Sequence, residues 1–316
     1  MLRSGHVAQG SEVAALEDEL AARFRPGGAC AVVSSGTAAL RLAFEINGFA
    51  GNVPTYACAA IYHAAYLQDW RTLLVDCDVK TFNSPNADVV VHTYGVPCSV
   101  QDDKIEDFTH ASGASLNGKP CGSSGALSVI SFGATKPLGI GSGGAVLGPT
   151  DAIEDIRDRR DYDGKPDLRE RFNYQLGDVY AAIGRERLRL LDEENQWRAE
   201  AATLYAAFCP VEIQGVGHGE DEHGPHRKWD LGRIWYRFVI RVPDWRKAQA
   251  HFSAAGIETI NPLMPEELLH RKLGLDPAQF PNAEEVARTT LSLPIWPGMT
   301  DEQTQRVADV LAELRP

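Results

Sequence analysis

The segment ALSVISFGATKPLGIGSGGAVLG, residues 126–148, places one lysine in a glycine-rich stretch between two apolar runs. The runs at 126–132 and 143–148 contain few polar residues, which is typical of strands covered on both faces of a sheet. Similar short runs occur earlier in the chain and alternate with helical patterns, the order found in α/β proteins. We therefore predict an α/β fold whose large domain has a mostly parallel central sheet, with further strands at 29–34, 72–78, 87–95 and 104–108.

The rest of the pattern divides the chain into two predicted domains. Apolar residues at helical spacing predict a helix over 11–24, for which Ser11 is a plausible N-cap. Segment 214–230 is glycine-rich and charged, without an apolar period, so we expect an exposed loop there. A strand at 234–242 and several helices follow it. These features predict a large domain over 1–208 and a smaller C-terminal α+β domain over 209–316.

Composition and charge narrow the possible partners. The chain has 316 residues, and its 31 basic and 43 acidic side chains give a net charge of −12. That sign opposes binding to nucleic acid or to an anionic membrane surface, so we expect neither as a partner. The N-terminal sequence MLRSGHVAQG lacks the apolar core of a signal peptide, and the six cysteines form no CxxC pair. We therefore expect a cytoplasmic protein with free thiols.

Lys136 is the first candidate for chemistry. A lysine in a loop is most often a solvated cation. Here five glycines surround it, which allows a ligand to approach the backbone closely, and Ser131 lies five residues upstream. A lysine amine held at such a site can form an imine with an aldehyde cofactor.

Asp107 and His110 follow another predicted strand. A carboxylate at the carboxyl end of a strand lies where open α/β sheets bind ligands, although it is often only a turn former or a helix cap. Paired with a site lysine, Asp107 would suit pyridoxal phosphate, because an aspartate keeps the ring nitrogen of this cofactor protonated. His110 could orient that carboxylate or cover the ring, and it could equally be a core histidine.

The turn Ser35-Gly36-Thr37 opens a predicted helix. Its main-chain N–H groups and the threonine hydroxyl suit a phosphate, although the same residues also make an ordinary N-cap. No GxGxxG follows the first strand and no GxxxxGK[ST] loop is present, so neither dinucleotide binding nor ATP hydrolysis is supported. We predict no metal site, since the histidines in the charged segment lack an apolar frame and are better explained by a solvated loop; they are His218, His223 and His226.

Together these elements resemble the sugar aminotransferases of the DegT/DnrJ/EryC1/StrS family, which are pyridoxal-phosphate enzymes of fold type I. The resemblance is carried by a series of segments in the family's order, and it extends over nearly the whole chain. The segments are GHVAQGSEVAALEDELA (5–21), SSGTAALRLAF (34–44), VPTYACAA (53–60), LLVDCD (73–78), VVVHTYG (89–95), IEDFTHASGA (105–114), SFGATKPLGIGSGGAV (131–146), FNYQLGDVYAAIGRERLRLLDE (172–193) and LSLPIWPGMTDEQ (291–303).

The resemblance implies a role for each matching residue. Lys136 would be the catalytic lysine, which forms the imine and then moves the proton between cofactor and substrate carbons, and Asp107 would pair with the pyridine nitrogen. His110 would lie close to the ring. Asn173 would reach the phosphate of a neighbouring subunit's cofactor, which implies a homodimer with composite active sites. The remaining predicted cofactor-binding residues are Ser35, Gly36, Thr37 and Ser131 around the phosphate, and Cys58 at a position where the family usually has an aromatic residue over the ring.

The activity implied is transamination in the biosynthesis of sugars, polysaccharides or secondary metabolites. An amino acid such as glutamate gives its amine to the cofactor, and a keto sugar, usually linked to a nucleotide, receives it. A sister branch that removes a hydroxyl has histidine in place of the lysine, and Lys136 argues against that branch. Two alternatives remain: a regulatory or partner protein without turnover, and an elimination enzyme on the same scaffold. The first is motivated by Cys58, by Gln175 where arginine is common, and by a short 78–89 connection.

Overall fold

The computed structural model describes residues 3, 5, 7–48, 51–67, 72–221, 224–229 and 232–314. Its helices are α1 (Ser11–Phe24), α2 (Gly36–Asn47), α3 (Ala59–Tyr66), α4 (Thr150–Arg159), α5 (Asp178–Phe208), α6 (Trp245–Ala254), α7 (Leu269–Lys272), α8 (Pro281–Thr289) and α9 (Asp301–Ala312). Its strands are β1 (Ala29–Val33), β2 (Asn52–Pro54), β3 (Leu73–Val75), β4 (Val89–Val91), β5 (Ile105–Asp107), β6 (Ser115–Leu116), β7 (Lys119–Pro120), β8 (Leu127–Ser131), β9 (Gly144–Gly148), β10 (Glu212–Ile213), β11 (Val216–Asp221), β12 (Gly224–Trp229), β13 (Phe238–Arg241) and β14 (Thr290–Leu293).

The central sheet has the strand order β1-β9-β8-β5-β4. Strands β4, β5 and β8 pair in parallel, whereas β9 pairs antiparallel with both β8 and β1. Four of the five strands therefore run in one direction, and the prediction of a mostly parallel sheet in an α/β fold is confirmed. The predicted strands are longer than the observed ones, and β3, within the strand predicted at 72–78, pairs with β2 in a separate two-stranded sheet.

Both faces of this sheet are covered, as its apolar strands predict. Alternate side chains of β1 enter two different hydrophobic clusters: Ala31 and Val33 pack with α2, α3 and α4, while Val32 packs with α1 and α5. Burying one large apolar side chain stabilises the fold by about 1.5–3 kcal/mol. The strand therefore contributes to the core on both sides, and its carboxyl end is fixed relative to the helices above and below.

Helix α1 is capped by a residue far away in the sequence. Gly10, not Ser11, is the N-cap residue, so the predicted role of Ser11 is wrong. The carboxylate of Asp178, which is 1% exposed, accepts hydrogen bonds from the backbone N–H groups of Gly10, Glu12 and Val13 at 2.7–2.9 Å. A Cβ on Gly10 would lie 2.6 Å from Asp178 Oδ2, so a glycine allows this approach. One carboxylate thus satisfies three helix donors and joins the starts of α1 and α5.

The C-terminal part of the chain forms a second core around an antiparallel sheet of order β10-β13-β14. Helices α6 and α9 pack on this sheet, together with the last turns of α5 from Ala201 onwards. Leu188 and Leu191, earlier in α5, belong to the core of the central sheet. Because α5 serves both cores, the boundary between 208 and 209 stays a prediction.

The loop predicted over 214–230 is wrong for the part that the structure describes. Strands β11 and β12 form an antiparallel hairpin in which Val216 pairs with Trp229 and Asp221 pairs with Gly224. Backbone pairing in a hairpin needs no apolar period, and for this reason the charged sequence did not indicate it. His218 and His226 lie on these strands, while His223 lies outside the described residues. In the described part of the chain, no helix is both long and apolar enough to cross a bilayer.

Candidate active site

The carboxyl ends of the parallel strands open onto a cavity of about 580 Å³. Asp107 is the last residue of β5, Ser131 is the last residue of β8, and Ser35 comes two residues after β1. Parallel strands end at the same edge of a sheet, where α/β proteins bind their ligands. All the predicted site residues except Asn173 line this cavity: Ser35, Gly36, Thr37, Cys58, Asp107, His110, Ser131 and Lys136.

Lys136 contacts His110 inside the cavity, with 3.0 Å between Lys136 Nζ and His110 Nε2. Burial, followed by the positive charges of Lys136 and Arg237, lowers the pKa of His110 well below its usual value. The imidazole is therefore neutral near pH 7, and its Nε2 atom shares a hydrogen bond with the Lys136 amine. This contact holds the Lys136 amine at one place in the cavity.

Asp107 is buried at the end of its strand, with 7% of its surface exposed. Burial raises the pKa of this carboxyl group, and hydrogen bonds from Thr109 and the charge of Lys136 act in the opposite direction. The backbone N–H of Thr109 donates to Asp107 Oδ1 at 3.0 Å, and the Thr109 hydroxyl accepts from the Ser131 N–H at 3.0 Å. Thr109 thus links the ends of β5 and β8. An isolated buried carboxylate favours a nearby cation, such as a protonated ring nitrogen.

The start of helix α2 forms one wall of the cavity. Ser35 caps this helix by accepting from the Ala38 N–H at 3.0 Å, and it also lines the cavity, so the N-cap role does not exclude the predicted phosphate-binding role. A Cβ on Gly36 would lie 2.6 Å from Ser131 Cβ and 2.8 Å from Ser131 Oγ, so only glycine lets the turn approach β8 this closely. The first residues of α2, the positive end of its dipole and the hydroxyl-bearing residues Thr37 and Ser131 line the cavity there. This arrangement fits a phosphate group.

Cys58 and Asn173 differ in their surroundings from the other predicted site residues. Cys58 is exposed at the cavity wall, where it precedes helix α3. Asn173 is exposed and does not line the cavity of its own chain. The Ser34 N–H donates to the Tyr174 carbonyl at 2.8 Å, which places residue 173 beside the turn that opens α2. The predicted contact of Asn173 with a neighbouring subunit's cofactor stays a prediction.

An aromatic wall around His110 was not among the features predicted from the sequence. The imidazole stacks between Tyr94, with ring centroids 5.6 Å apart, and Tyr236, with centroids 4.6 Å apart. The Ile234 N–H donates to the Gly95 carbonyl at 3.2 Å, and a Cβ on Gly95 would lie 2.1 Å from the Ile234 carbonyl oxygen. Gly95 therefore allows the 234–237 segment to reach the site. The strand-end rule that indicated Asp107 could also have indicated Tyr94, whereas nothing local marked Tyr236.

A second polar cluster lies outside the cavity, on the other side of β5. Atoms of His92, Glu106 and Cys121 come within 4.8 Å of one another, and all three residues are buried. His92 Nε2 contacts Glu106 Oε1 at 2.8 Å, and the same carboxylate accepts from the N–H groups of Gly122 and Ser124. The imidazole Nδ1 accepts from the Cys98 N–H at 3.0 Å. These bonds occupy both imidazole nitrogens and both carboxylate oxygens, so the cluster ties β4 and β5 to the 121–124 turn.

The chain is similar over nearly its whole length to known aminotransferases. A sequence profile described as the DegT/DnrJ/EryC1/StrS aminotransferase family matches residues 1–312. The dTDP-3-amino-3,4,6-trideoxy-alpha-D-glucose transaminase of Streptomyces venezuelae is 28% identical, over 99% of this chain and 89% of that protein. The pleiotropic regulatory protein of Geobacillus stearothermophilus is 27% identical, over 99% of this chain and 92% of that protein. The solved structure of DesV from S. venezuelae superposes with a TM-score of 0.84 and 26% identity, over 99% of this chain and 91% of DesV.

Proposed function

Because this chain belongs to the DegT/DnrJ/EryC1/StrS family and is a pyridoxal-phosphate-dependent aminotransferase, we propose that it transfers an amine from glutamate to a nucleotide-linked keto sugar. The observation that carries this proposal is that Lys136, Asp107 and the phosphate-binding turn line one cavity. The product would be an amino sugar for polysaccharide or secondary-metabolite biosynthesis. The names of relatives support a substrate that is linked to a nucleotide. The name of the S. venezuelae relative, for example, specifies a dTDP-linked sugar.

The residues that line the cavity fit pyridoxal phosphate, and each would have a separate role. Pyridoxal phosphate, when bound, supplies an aldehyde that accepts amines and a ring that stores electrons. Asp107 would hold the proton on the ring nitrogen, and the start of α2 with Ser131 would hold the phosphate. The Lys136 amine would take the proton from the donor carbon and return it at the acceptor carbon. Neutral His110 positions that amine through the 3.0 Å contact.

A homodimer with composite active sites is part of the proposal. Asn173 is exposed beside the phosphate-binding turn, where a residue could serve a neighbouring copy. Apolar side chains are exposed close to it along the chain, among them Leu168, Val179, Tyr180 and Ile183. A contiguous patch of such residues would be typical of a protein–protein interface. A cytoplasmic location is supported by the six cysteines, which are all free.

Two spectroscopic measurements test the function. After incubation with pyridoxal phosphate and removal of the unbound cofactor, the wild-type protein should show the longer-wavelength absorption band of an imine, and Lys136→Ala should not. Glutamate should then convert the wild-type cofactor into its pyridoxamine form, and a keto sugar linked to a nucleotide should convert it back. A regulatory protein would bind the cofactor without this conversion, and an elimination enzyme would release a sugar product that carries no new amine. Either result would contradict the proposal.

A further inference from the structure

Two tyrosine rings from distant parts of the chain stack on His110. The Tyr94 ring lies with its centroid 5.6 Å from that of the imidazole and its plane tilted by 23°, and the Tyr236 ring lies at 4.6 Å with a tilt of 24°. Tyr94 follows β4, and Tyr236 precedes β13. A rotation of the imidazole about its Cβ–Cγ bond would sweep the ring out of its plane and into these neighbours. The two tyrosines therefore fix the direction in which the nitrogens of His110 point.

The hydrogen bonds of His110 fix the place of its own hydrogen. The Tyr94 N–H donates to Nδ1 at 3.5 Å, and Nε2 lies 3.0 Å from Lys136 Nζ. The imidazole is neutral, because burial lowers the pKa of His110 well below its usual value. A neutral imidazole has one N–H group, so an Nδ1 atom that accepts leaves the hydrogen on Nε2. The Nε2–H edge of His110 thus faces the Lys136 amine.

The backbone of Tyr94 has an uncommon conformation, with φ 54° and ψ 27°. This left-handed region is unfavourable for a residue with a large side chain, and residues held there are frequent at functional sites. A turn holds this conformation, in which the Gly95 N–H donates to the His92 carbonyl at 3.3 Å. The same conformation brings both the N–H group and the ring of Tyr94 to His110. A strained residue therefore makes two contacts with one imidazole.

Tyr236 contacts both His110 and Lys136. The Lys136 Nζ atom lies 5.7 Å from the centroid of the Tyr236 ring, within the distance of about 6 Å at which an amine interacts with an aromatic face. The Ile234 N–H donates to the Gly95 carbonyl at 3.2 Å, which fixes the segment that carries Tyr236 beside the turn after β4. This segment leads into β13 of the C-terminal core. The C-terminal part of the chain thus supplies one of the two rings that hold His110.

We propose that Tyr236 is a positioning residue for Lys136: it stacks on His110 together with Tyr94 and thereby keeps the Nε2–H group directed at the lysine amine. The inference rests on the proposed function, in which this amine bonds to the cofactor aldehyde. In that step the lysine nitrogen adds to the aldehyde carbon, and the aldehyde oxygen leaves as water. A displacement of about 1 Å in a reacting group can slow a reaction by about 100-fold. Loss of the Tyr236 ring should therefore slow the capture of the cofactor.

The direct test mixes the apoprotein with pyridoxal phosphate in a stopped-flow spectrometer and follows the absorption of the new C=N bond. We expect Tyr236→Leu to slow its formation by about tenfold or more, and Tyr236→Phe, which keeps the ring, to stay within about threefold of wild type. Tyr236→Met repeats the test with a flexible side chain in case the leucine variant does not fold. Tyr66→Leu is the matched control, because Tyr66 is 65% exposed on α3 and does not line the cavity.

Two further measurements separate the positioning of the amine from general damage to the cavity. Pyridoxamine phosphate has an amine in place of the aldehyde and cannot bond to Lys136, so its dissociation constant should stay within about threefold of wild type in Tyr236→Leu. Nitrogen-15 NMR of the histidine rings in the apoprotein reports the tautomer of His110. The wild type should carry the hydrogen on Nε2 alone, and Tyr236→Leu should show exchange between the two tautomers.

The inference is overturned if Tyr236→Leu forms the C=N bond as fast as the Tyr66→Leu control and keeps a single tautomer of His110, or if Tyr236→Phe is as slow as Tyr236→Leu. It is also overturned if Tyr236→Leu binds pyridoxamine phosphate more weakly by the same factor as the rate falls, because the ring would then only support the cavity. Absence of a C=N band in the wild-type protein would instead contradict the proposed function, and the inference with it.

Discussion

Gly36→Ala should weaken cofactor binding through a steric conflict that can be worked out from the structure. The new Cβ would lie 2.6 Å from Ser131 Cβ, whereas ordinary contacts begin at 3.4 Å, so the turn or strand β8 must move by about 0.8 Å. A movement of that size breaks the alignment of the N–H groups and hydroxyls with a phosphate. Hydrogen bonds to charged groups contribute about 1.5–3 kcal/mol each, so the loss of one corresponds to a dissociation constant about 10–150-fold higher.

The assay is a titration of the apoprotein with pyridoxal phosphate, followed by absorbance. Gly177→Ala is the matched control, since a Cβ there meets nothing closer than 3.4 Å and Gly177 does not line the cavity; we expect its affinity to stay within about threefold of wild type. Overpacking also costs about 1–3 kcal/mol of stability, so the fold of each variant is first checked by circular dichroism. A folded Gly36→Ala protein that binds the cofactor within threefold of wild type would refute the proposed position of the phosphate.

Three further perturbations test other parts of the account. Asp178→Ala leaves the N–H groups that cap α1 without their acceptor, so urea denaturation should show a free energy of unfolding lower by about 2 kcal/mol or more; an unchanged value would contradict the capping role. Asp107→Asn should slow the donor half-reaction by about 100-fold or more while pyridoxal phosphate still binds, and a normal rate in stopped-flow absorbance would remove Asp107 from the mechanism. In the apoprotein, burial and then the charges of Lys136 and Arg237 lower the pKa of His110. Below about pH 6.5 the unfolded chain therefore takes up a proton that the folded chain does not, and stability falls towards acid by up to about 1.4 kcal/mol per pH unit. Urea denaturation of His110→Gln between pH 5 and 6.5 should show a slope shallower by this amount, and an identical slope would show that His110 titrates normally.

The sheet and the residues at its edge were predictable because their signals are local. Apolar runs such as 126–132 fix a buried strand, and the residue that ends each strand must lie at the ligand-binding edge. Asp107 was found in this way, whereas Ser131 was noted because it lies five residues upstream of Lys136. Gly36 was found because it lies in a small-residue turn that opens a helix, where main-chain N–H groups suit a phosphate, although such a turn also makes an ordinary N-cap. The family resemblance then supplied the roles, which the residue pattern alone left open.

The features that sequence analysis missed depend on contacts between distant parts of the chain. Asp178 caps α1 from 165–168 residues away, and no local pattern distinguishes it from an ordinary surface aspartate. Tyr236 and Arg237 were assigned to a strand over 234–242, but β13 begins at Phe238 and the preceding residues reach the catalytic cavity. The hairpin of β11 and β12 escaped prediction because its pairing is a property of the backbone and leaves no apolar pattern.

Chemical trapping can show whether the Lys136 amine carries the cofactor, as we propose. Borohydride reduces a C=N bond between a lysine and the cofactor aldehyde to a stable amine, so the modified residue can be identified by mass spectrometry of a digest. We expect a single pyridoxyl group on the peptide that contains Lys136, and none in Lys136→Ala. Modification of Lys272, which lines the same cavity, or of no lysine at all would contradict the claim.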